Sequence, residues 1–430
     1  MATQAEPRLT GEEALAIVDP ANYVDWDSLL DRFDALRRKT PVVRVVNDHD
    51  PFWLVTSYDD VMRVSKDNKL FLNSPRSITF SDKNSGAFVK SITGGDPNLV
   101  RSLVALDAPI HPQYRRLTQD WFMPKNLRKM EDEIRALAKV TVDRLVDAGG
   151  EADFVPLVSA PYPLHVVMQI LGVPEADEQR MLFLTQQMFG GQDEDLNKSG
   201  MANMTPEQVM QLVVGAVADF EAYFAKLTQE KRANPTDDVA SVIANAKVDG
   251  AHLSDRDMAG YYIILAAAGH DTTSASTAGA MLALARDPEQ FARLKADRDL
   301  LPGIVEEAIR WTTPVQHFMR TAAEDTELGG QKIAKDDWLM ISYIAANHDE
   351  SIFPEPRKFD ASRSPNRHLS FGAGAHQCLG LHLARLEMKI LFNELLDRIE
   401  TLELAGEPKR AKSTFVGGLK TLPIRFSLSN

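Results

Sequence analysis

Two kinds of hydrophobic spacing divide this chain. "PVVRVV" (41–46) and "PFWLVT" (51–56) are rich in β-branched and aromatic residues, and the polar "NDHD" between them predicts a hairpin. From Ser57 onward helical spacing dominates. Ser57 with Asp60 reads as a capped start for "YDDVMRVSKD". "LRKMEDEIRALAKVTVDRLVDA" (127–148) repeats apolar positions every three or four residues and stops at Gly149-Gly150. "YPLHVVMQILGVPE" (162–175) predicts a short helix stopped by Gly172 and Pro174, and 207–233 a long amphipathic one. The stretch 254–290 predicts one helix of about 30 residues, apolar on nearly every side of its middle and therefore buried. Residues 379–396 predict another amphipathic helix, and short β runs return at 338–343 and 422–428. The pattern is mainly α with small β-sheets, with no internal repeat and no clear domain boundary. The first 20 residues are expected to be loosely held.

Composition changes this picture little. The chain has 430 residues, 44% hydrophobic and 25% charged, which is ordinary for a globular protein. Length alone suggests two or three domains. A net charge of −13 repels phosphate backbones, so nucleic acid is not an expected partner. The longest nearly apolar run, Ala259–Gly269, falls short of the ~20 residues a membrane span needs. The start has no apolar signal core, and one cysteine excludes an internal disulfide framework. A cytoplasmic protein without a membrane segment is expected.

That cysteine, Cys378, lies in "HLSFGAGAHQCLGLHLARLEMKI" (368–390), among Gly372, Gly374 and Gly380 and just ahead of a helix. A free cysteine in a loop can pack as a small hydrophobe. A dinucleotide loop would need glycine where Gln377 stands. Zinc would need more ligands than Cys378 and His376. A thiol nucleophile would need a histidine base that sequence cannot place. A metal thiolate suits the position: N–H groups at a helix N-terminus stabilise negative charge, and haem iron accepts a single cysteine thiolate.

Phe371-Gly372-x-Gly374-x-His376-x-Cys378-x-Gly380 resembles the haem-binding signature of the cytochrome P450 family, the haem-thiolate monooxygenases. The resemblance extends over nearly the whole chain from about residue 20. It implies a single-domain cytochrome P450 fold over residues 21–430, overriding the length prior, with haem b on Cys378. "AGHDTT" (268–273) resembles the oxygen-activation site, with Asp271 and Thr272 as the acid–alcohol pair and Gly269 leaving space for O₂. Threonine hydroxyls there compete for helix carbonyls and can open the helix locally. Glu307 and Arg310, in "EEAIRW", match a pair that is scaffold rather than chemistry. Phe353, Pro356, Phe359, Asp360 and Arg363 match the segment preceding the cysteine loop. His111, Arg115, Arg320 and His376 match a clamp for the two haem propionates. His348 stands where many members carry arginine, with no loss of chemistry expected. "YPLHVVMQILGVPE", "AGHDTTS", "NRHL" and "FVGG" resemble a bacterial subgroup that includes the α-terpineol hydroxylase.

The resemblance also implies a pocket of Ala267, Ala268, Val315, Phe318, Met319, Phe415 and Val416, with lids at 80–104 and 188–204. Small alanines with Phe and Met around them fit a small hydrophobic substrate, a monoterpenoid or a small aromatic hydrocarbon. The implied partners are O₂ and a 2Fe-2S ferredoxin with an NAD(P)H-dependent ferredoxin reductase. A basic face of Arg116, Lys125, Arg128, Lys129, Arg385 and Lys389 is the expected docking site. A monomer is expected. Rival readings are a haem-thiolate isomerase, dehydratase or peroxygenase, a non-catalytic haem sensor, and a haem-free thiol hydrolase; the Asp271–Thr272 pair counts against the first two.

Overall fold

The computed structural model describes residues 6–47, 49–81, 83–189, 192–196 and 204–429. The predicted hairpin forms, Val42–Val45 antiparallel to Phe52–Val55 with Val42 opposite Val55. It belongs to a six-stranded sheet in the order 8–9, 42–45, 52–55, 338–342, 317–322, 71–72. Strand Trp338–Ser342 pairs parallel with Phe52–Val55 and antiparallel with His317–Ala322. One cluster of buried side chains on this sheet is built around Leu54, Met319 and Trp338, and another around Val55, Leu339 and Ile341. Near the start of the described chain, Arg8–Leu9 form a strand and Gly11–Val18 a helix whose Ala14 and Ile17 are buried in the first of these clusters.

The larger core is helical. Helix Tyr58–Lys66 begins as predicted, Ser57 Oγ accepting from the Asp60 N–H. Helix Pro206–Ala233 starts with a reciprocal capping box between Thr205 and Gln208. Helix Pro161–Ile170 is stopped by Gly172 at φ +64°, a backbone angle that favours glycine. The expected single helix at 254–290 is two helices, Asp255–Ala268 and Asp271–Arg286, interrupted at Gly269-His270. The Thr272 hydroxyl donates to Ala268 O at 2.8 Å, the side-chain competition that favours such an opening.

Glu307 and Arg310 are fully buried and form a two-pronged pair at 2.7 and 2.8 Å. Arg363 Nε, the Asp360 N–H and Asn366 Nδ2 donate to the same carboxylate at 3.0–3.1 Å. Arg310 also donates to Asn347 O and Pro356 O. A buried ion pair satisfied on all sides is structural, and it ties helix Leu301–Thr312 to the segment leading into the cysteine loop. His348 is buried edge-on to Trp26, and Arg37 donates to His348 O and Ala345 O. A guanidinium from helix Trp26–Lys39 thus reaches the backbone beside the position where arginine was expected in sequence.

Candidate active site

A cavity of about 480 Å³ lies between the two central helices, the cysteine loop and strand His317–Ala322. Cys378 faces it from the loop between the turn Gly374–His376 and helix Leu381–Arg398. The Cys378 N–H donates to Phe371 O at 2.8 Å. The side chain counts as exposed because it borders the cavity, yet the sulfur is deep within the molecule. Burial pushes the thiol pKa up; the Gly380 N–H, Arg115 and Arg385 pull it down. A buried thiol of this kind becomes a thiolate when a metal cation binds it. A Cβ on Gly380 would meet nothing within 4 Å, so the backbone there is open to a flat ligand. At Gly374, φ +75°, a Cβ would be 2.9 Å from Ser65 O, so this glycine serves close packing.

The four expected basic residues converge on the same cavity. His111 and Arg115 come from helix Ile110–Thr118, Arg320 from the sheet and His376 from the cysteine loop. The His111 and His376 rings are 4.0 Å apart. Burial, with Arg115 nearby, pushes the His111 pKa down to about 4. Burial, with His111, Arg320 and Arg115 nearby, pushes His376 down to about 2. Burial also lowers Arg115 and Arg320. Arg320 donates only to Met319 O, and neither guanidinium has a carboxylate partner among the described residues. Buried guanidinium groups demand anions. The donor set therefore fits a group with two carboxylates and a thiolate-binding metal, which is haem.

On the opposite wall, Asp271 and Thr272 follow the helix break. Asp271 is 36% exposed, with Oδ1 3.0 Å from Nδ1 of the buried His270, in poor alignment for a hydrogen bond. Gly269 lines the cavity, and a Cβ there would meet Val167 Cγ2 at 2.4 Å, so the glycine also seats this wall on helix Pro161–Ile170. Ala267, Ala268, Val315, Phe318, Phe415 and Val416 line the cavity as expected. Met319 does not. Side chains alternate along a strand, so Phe318 and Arg320 face the cavity while Met319 packs into the core behind it. The segment 80–104, expected as a lid, contributes Ser81, Val89 and Val100 to the lining. Much of 188–204 lies outside the described residues. Of the rest, Met188 lines the cavity and Asp193 is bound by Lys420 at 3.0 Å.

Of the expected basic face, Arg116, Lys125, Arg128 and Lys129 are exposed. Arg385 is engaged by Glu306 and lies over the Phe371 ring, so it braces the cysteine loop. Glu387, on the helix that follows Cys378, went unnoticed in the sequence. It is 1% exposed and borders the cavity. Its position on the buried stripe Leu383, Glu387, Ile390, Leu391 was the available signal. Among the described residues no helix is long and apolar enough to cross a membrane.

The sequence model of the cytochrome P450 family matches residues 18–428. Cytochrome P450-terp of a Pseudomonas species is 45% identical over 96% of this chain and 97% of its own. Linalool 8-monooxygenase of Pseudomonas putida is 32% identical over 92% of this chain and 94% of its own. The crystal structure of CYP108D1 from Novosphingobium aromaticivorans superposes with a TM-score of 0.92 at 64% identity, covering 98% of this chain and 100% of that one. With the cysteine loop, the buried Glu307–Arg310 pair and the interrupted central helix already in place, these matches make the chain a member of the cytochrome P450 family, a monooxygenase similar to cytochrome P450-terp.

Proposed function

We propose that the protein is a haem b enzyme that hydroxylates a small hydrophobic substrate, a monoterpenoid or a small aromatic hydrocarbon, with O₂ and two electrons from a 2Fe-2S ferredoxin. The observation that carries this reading is a single apolar cavity shared by the Cys378 thiol, four converging basic side chains and the Asp271–Thr272 pair. When bound, haem supplies the redox chemistry that inserts one oxygen atom of O₂ into a carbon–hydrogen bond.

The chain's own residues supply position, protons and dryness. Cys378 Sγ would hold the iron, with Phe371, Gly372 and Gly380 forming the backing loop. His111, Arg115, Arg320 and His376 would hold the propionates. Asp271 lines the cavity beside Thr272, partly exposed, and is the carboxylate assigned to proton delivery. Thr272 Oγ1 points its own hydrogen at Ala268 O, so its lone pairs are available to accept a hydrogen bond from the cavity side. Ala267, Val315, Phe318, Phe415 and Val416 exclude water from the opposite wall.

The substrate class rests on the lining and its polarity. Ala267 and Ala268 with Val315, Phe318, Phe415 and Val416 around them make an apolar wall suited to a compact hydrophobic molecule. Arg115 and Arg320 are the cationic side chains in the cavity's described lining apart from the histidines, and both are assigned to propionates, which disfavours a fatty acid. The names P450-terp and linalool 8-monooxygenase borne by relatives support the terpenoid alternative. Arg116, Lys125, Arg128 and Lys129 form the face assigned to the ferredoxin, itself reduced by an NAD(P)H-dependent reductase. The same reading makes the protein a cytoplasmic monomer.

A titration of the purified ferric protein tests the reading. α-Terpineol, linalool, naphthalene and decanoate are added in turn and the Soret band is followed. A shift to shorter wavelength with a terpenol or with naphthalene is expected. A shift with decanoate alone overturns the substrate class, and purified protein without haem absorbance overturns the role of Cys378.

A further inference from the structure

His317 opens the strand His317–Ala322, 2% exposed and on the side that Met319 shares, behind the cavity wall. Its Nδ1 is 2.8 Å from Thr414 O, and the Phe80 N–H reaches Nε2 at 3.4 Å. A carbonyl only accepts and a backbone N–H only donates, so the ring is neutral with its hydrogen on Nδ1. Burial agrees, pushing its pKa down to about 4.

The two partners belong to segments more than 300 positions apart in the sequence. Both segments wall the cavity, Ser77, Ile78 and Thr79 from one and Phe415 and Val416 from the other. Each is also fixed to the stretch around His317 from its own side. Met319 N–H donates to Ile78 O at 2.8 Å, while Gln316 N–H donates to Phe415 O at 2.8 Å. The Phe415 ring stands edge-on to His317 at 5.7 Å and to Phe318 at 5.5 Å. The Phe80 ring is packed against Phe52 and stacked on Trp338. One imidazole thus joins a well-anchored early segment to the late turn that carries two pocket residues.

We infer that His317 is a positioning residue for the monooxygenase, clasping segment 77–80 and turn 413–416 to one ring and so setting the width of the substrate cavity. The inference rests on the proposed cavity, but the ring touches neither substrate nor cofactor. Its two arms can be cut separately. In His317→Asn the amide keeps a donor where Nδ1 stands and loses the acceptor for Phe80. In His317→Gln the amide reaches the Nε2 position and loses the donor to Thr414. His317→Phe keeps a ring and loses both.

Hydrogen exchange read by mass spectrometry on the holoenzymes tests this without any ligand. His317→Phe is expected to speed exchange in both 77–80 and 413–417, His317→Asn chiefly in 77–80, and His317→Gln chiefly in 413–417. α-Terpineol and naphthalene titrations then read the cavity: His317→Phe is expected to raise the dissociation constant about tenfold, the scale of two lost hydrogen bonds of modest net worth, with each half-variant in between. Unchanged exchange in all three variants overturns the inference, as does equal loosening across the whole chain in all three. Should His317→Phe fail to fold, the opposed pattern of the other two decides. If wild-type protein binds neither probe while the exchange pattern appears, the substrate class fails and the clasp stands.

Discussion

Replacing Glu387 by glutamine isolates a single buried titration. The carboxyl is 1% exposed, Oε2 has no partner, and no basic side chain is paired with it among the described residues. Burial raises its pKa well above the ordinary value, and only a hydrogen bond with Thr273 opposes this. The folded protein therefore carries Glu387 neutral, whereas the unfolded chain ionises it near pH ~4.3. Between those two pKa values the folded state binds one more proton, so wild-type stability falls as pH rises, by ~1.4 kcal/mol per pH unit. Glutamine has nearly the same shape and never ionises. The stability of Glu387→Gln relative to wild type should thus improve as pH rises above the unfolded-state value, by up to ~1.4 kcal/mol per pH unit until the folded carboxyl ionises. Urea unfolding of both holoproteins at pH 5, 6 and 7 measures the difference. An infrared band of a protonated carboxyl, present in wild type and missing in the variant, checks the charge state directly. A difference that stays flat with pH would refute the reasoning, because it would mean that Glu387 is ionised in the fold.

Three further outcomes are expected. Cys378→Ser should retain the far-ultraviolet circular dichroism of the wild type and lose the thiolate-type carbon monoxide spectrum of the reduced protein. Glu307→Ala should destabilise the fold by ~3–5 kcal/mol in the same urea assay, since it strands the fully buried Arg310. Met319→Ala and Phe318→Ala should behave oppositely although the residues are neighbours. The first should cost ~2–5 kcal/mol of stability and leave the α-terpineol dissociation constant nearly unchanged, whereas the second should weaken binding, as a spin-state titration would read.

The parts of the site legible in the sequence were those whose chemistry depends on spacing along one segment. Cys378 with its glycines, the Glu307–Arg310 pair and the Asp271–Thr272 pair each lie within a few residues, and the cavity gathers the cysteine and the acid–alcohol pair. What failed to show was contact between distant segments. Gly269 read as space for a ligand, and its close approach to Val167, about a hundred residues earlier, did not show. Arg385 read as surface charge, but Glu306 binds it. Met319 read as pocket because its neighbours are, and only the strand register separates the two faces. His317 carried no signal of its own, since its role depends on Phe80 and Thr414 arriving together. Arg8 and Leu9, in a segment expected to be loosely held, add a strand to an existing sheet by pairing with Arg44 and Val45, a contact no local pattern shows.

The approach of Gly269 to Val167 constrains how this protein can change over generations. Any side chain at 269 would overlap the Val167 methyl, 2.4 Å from where its Cβ would stand. Trimming Val167 to alanine first removes that obstacle at the modest cost of a small void. Taken in the other order, the first step forces apart two packed helices at the wall of the active site. The pair is therefore an evolutionary ratchet, open to drift from the valine side and closed from the glycine side.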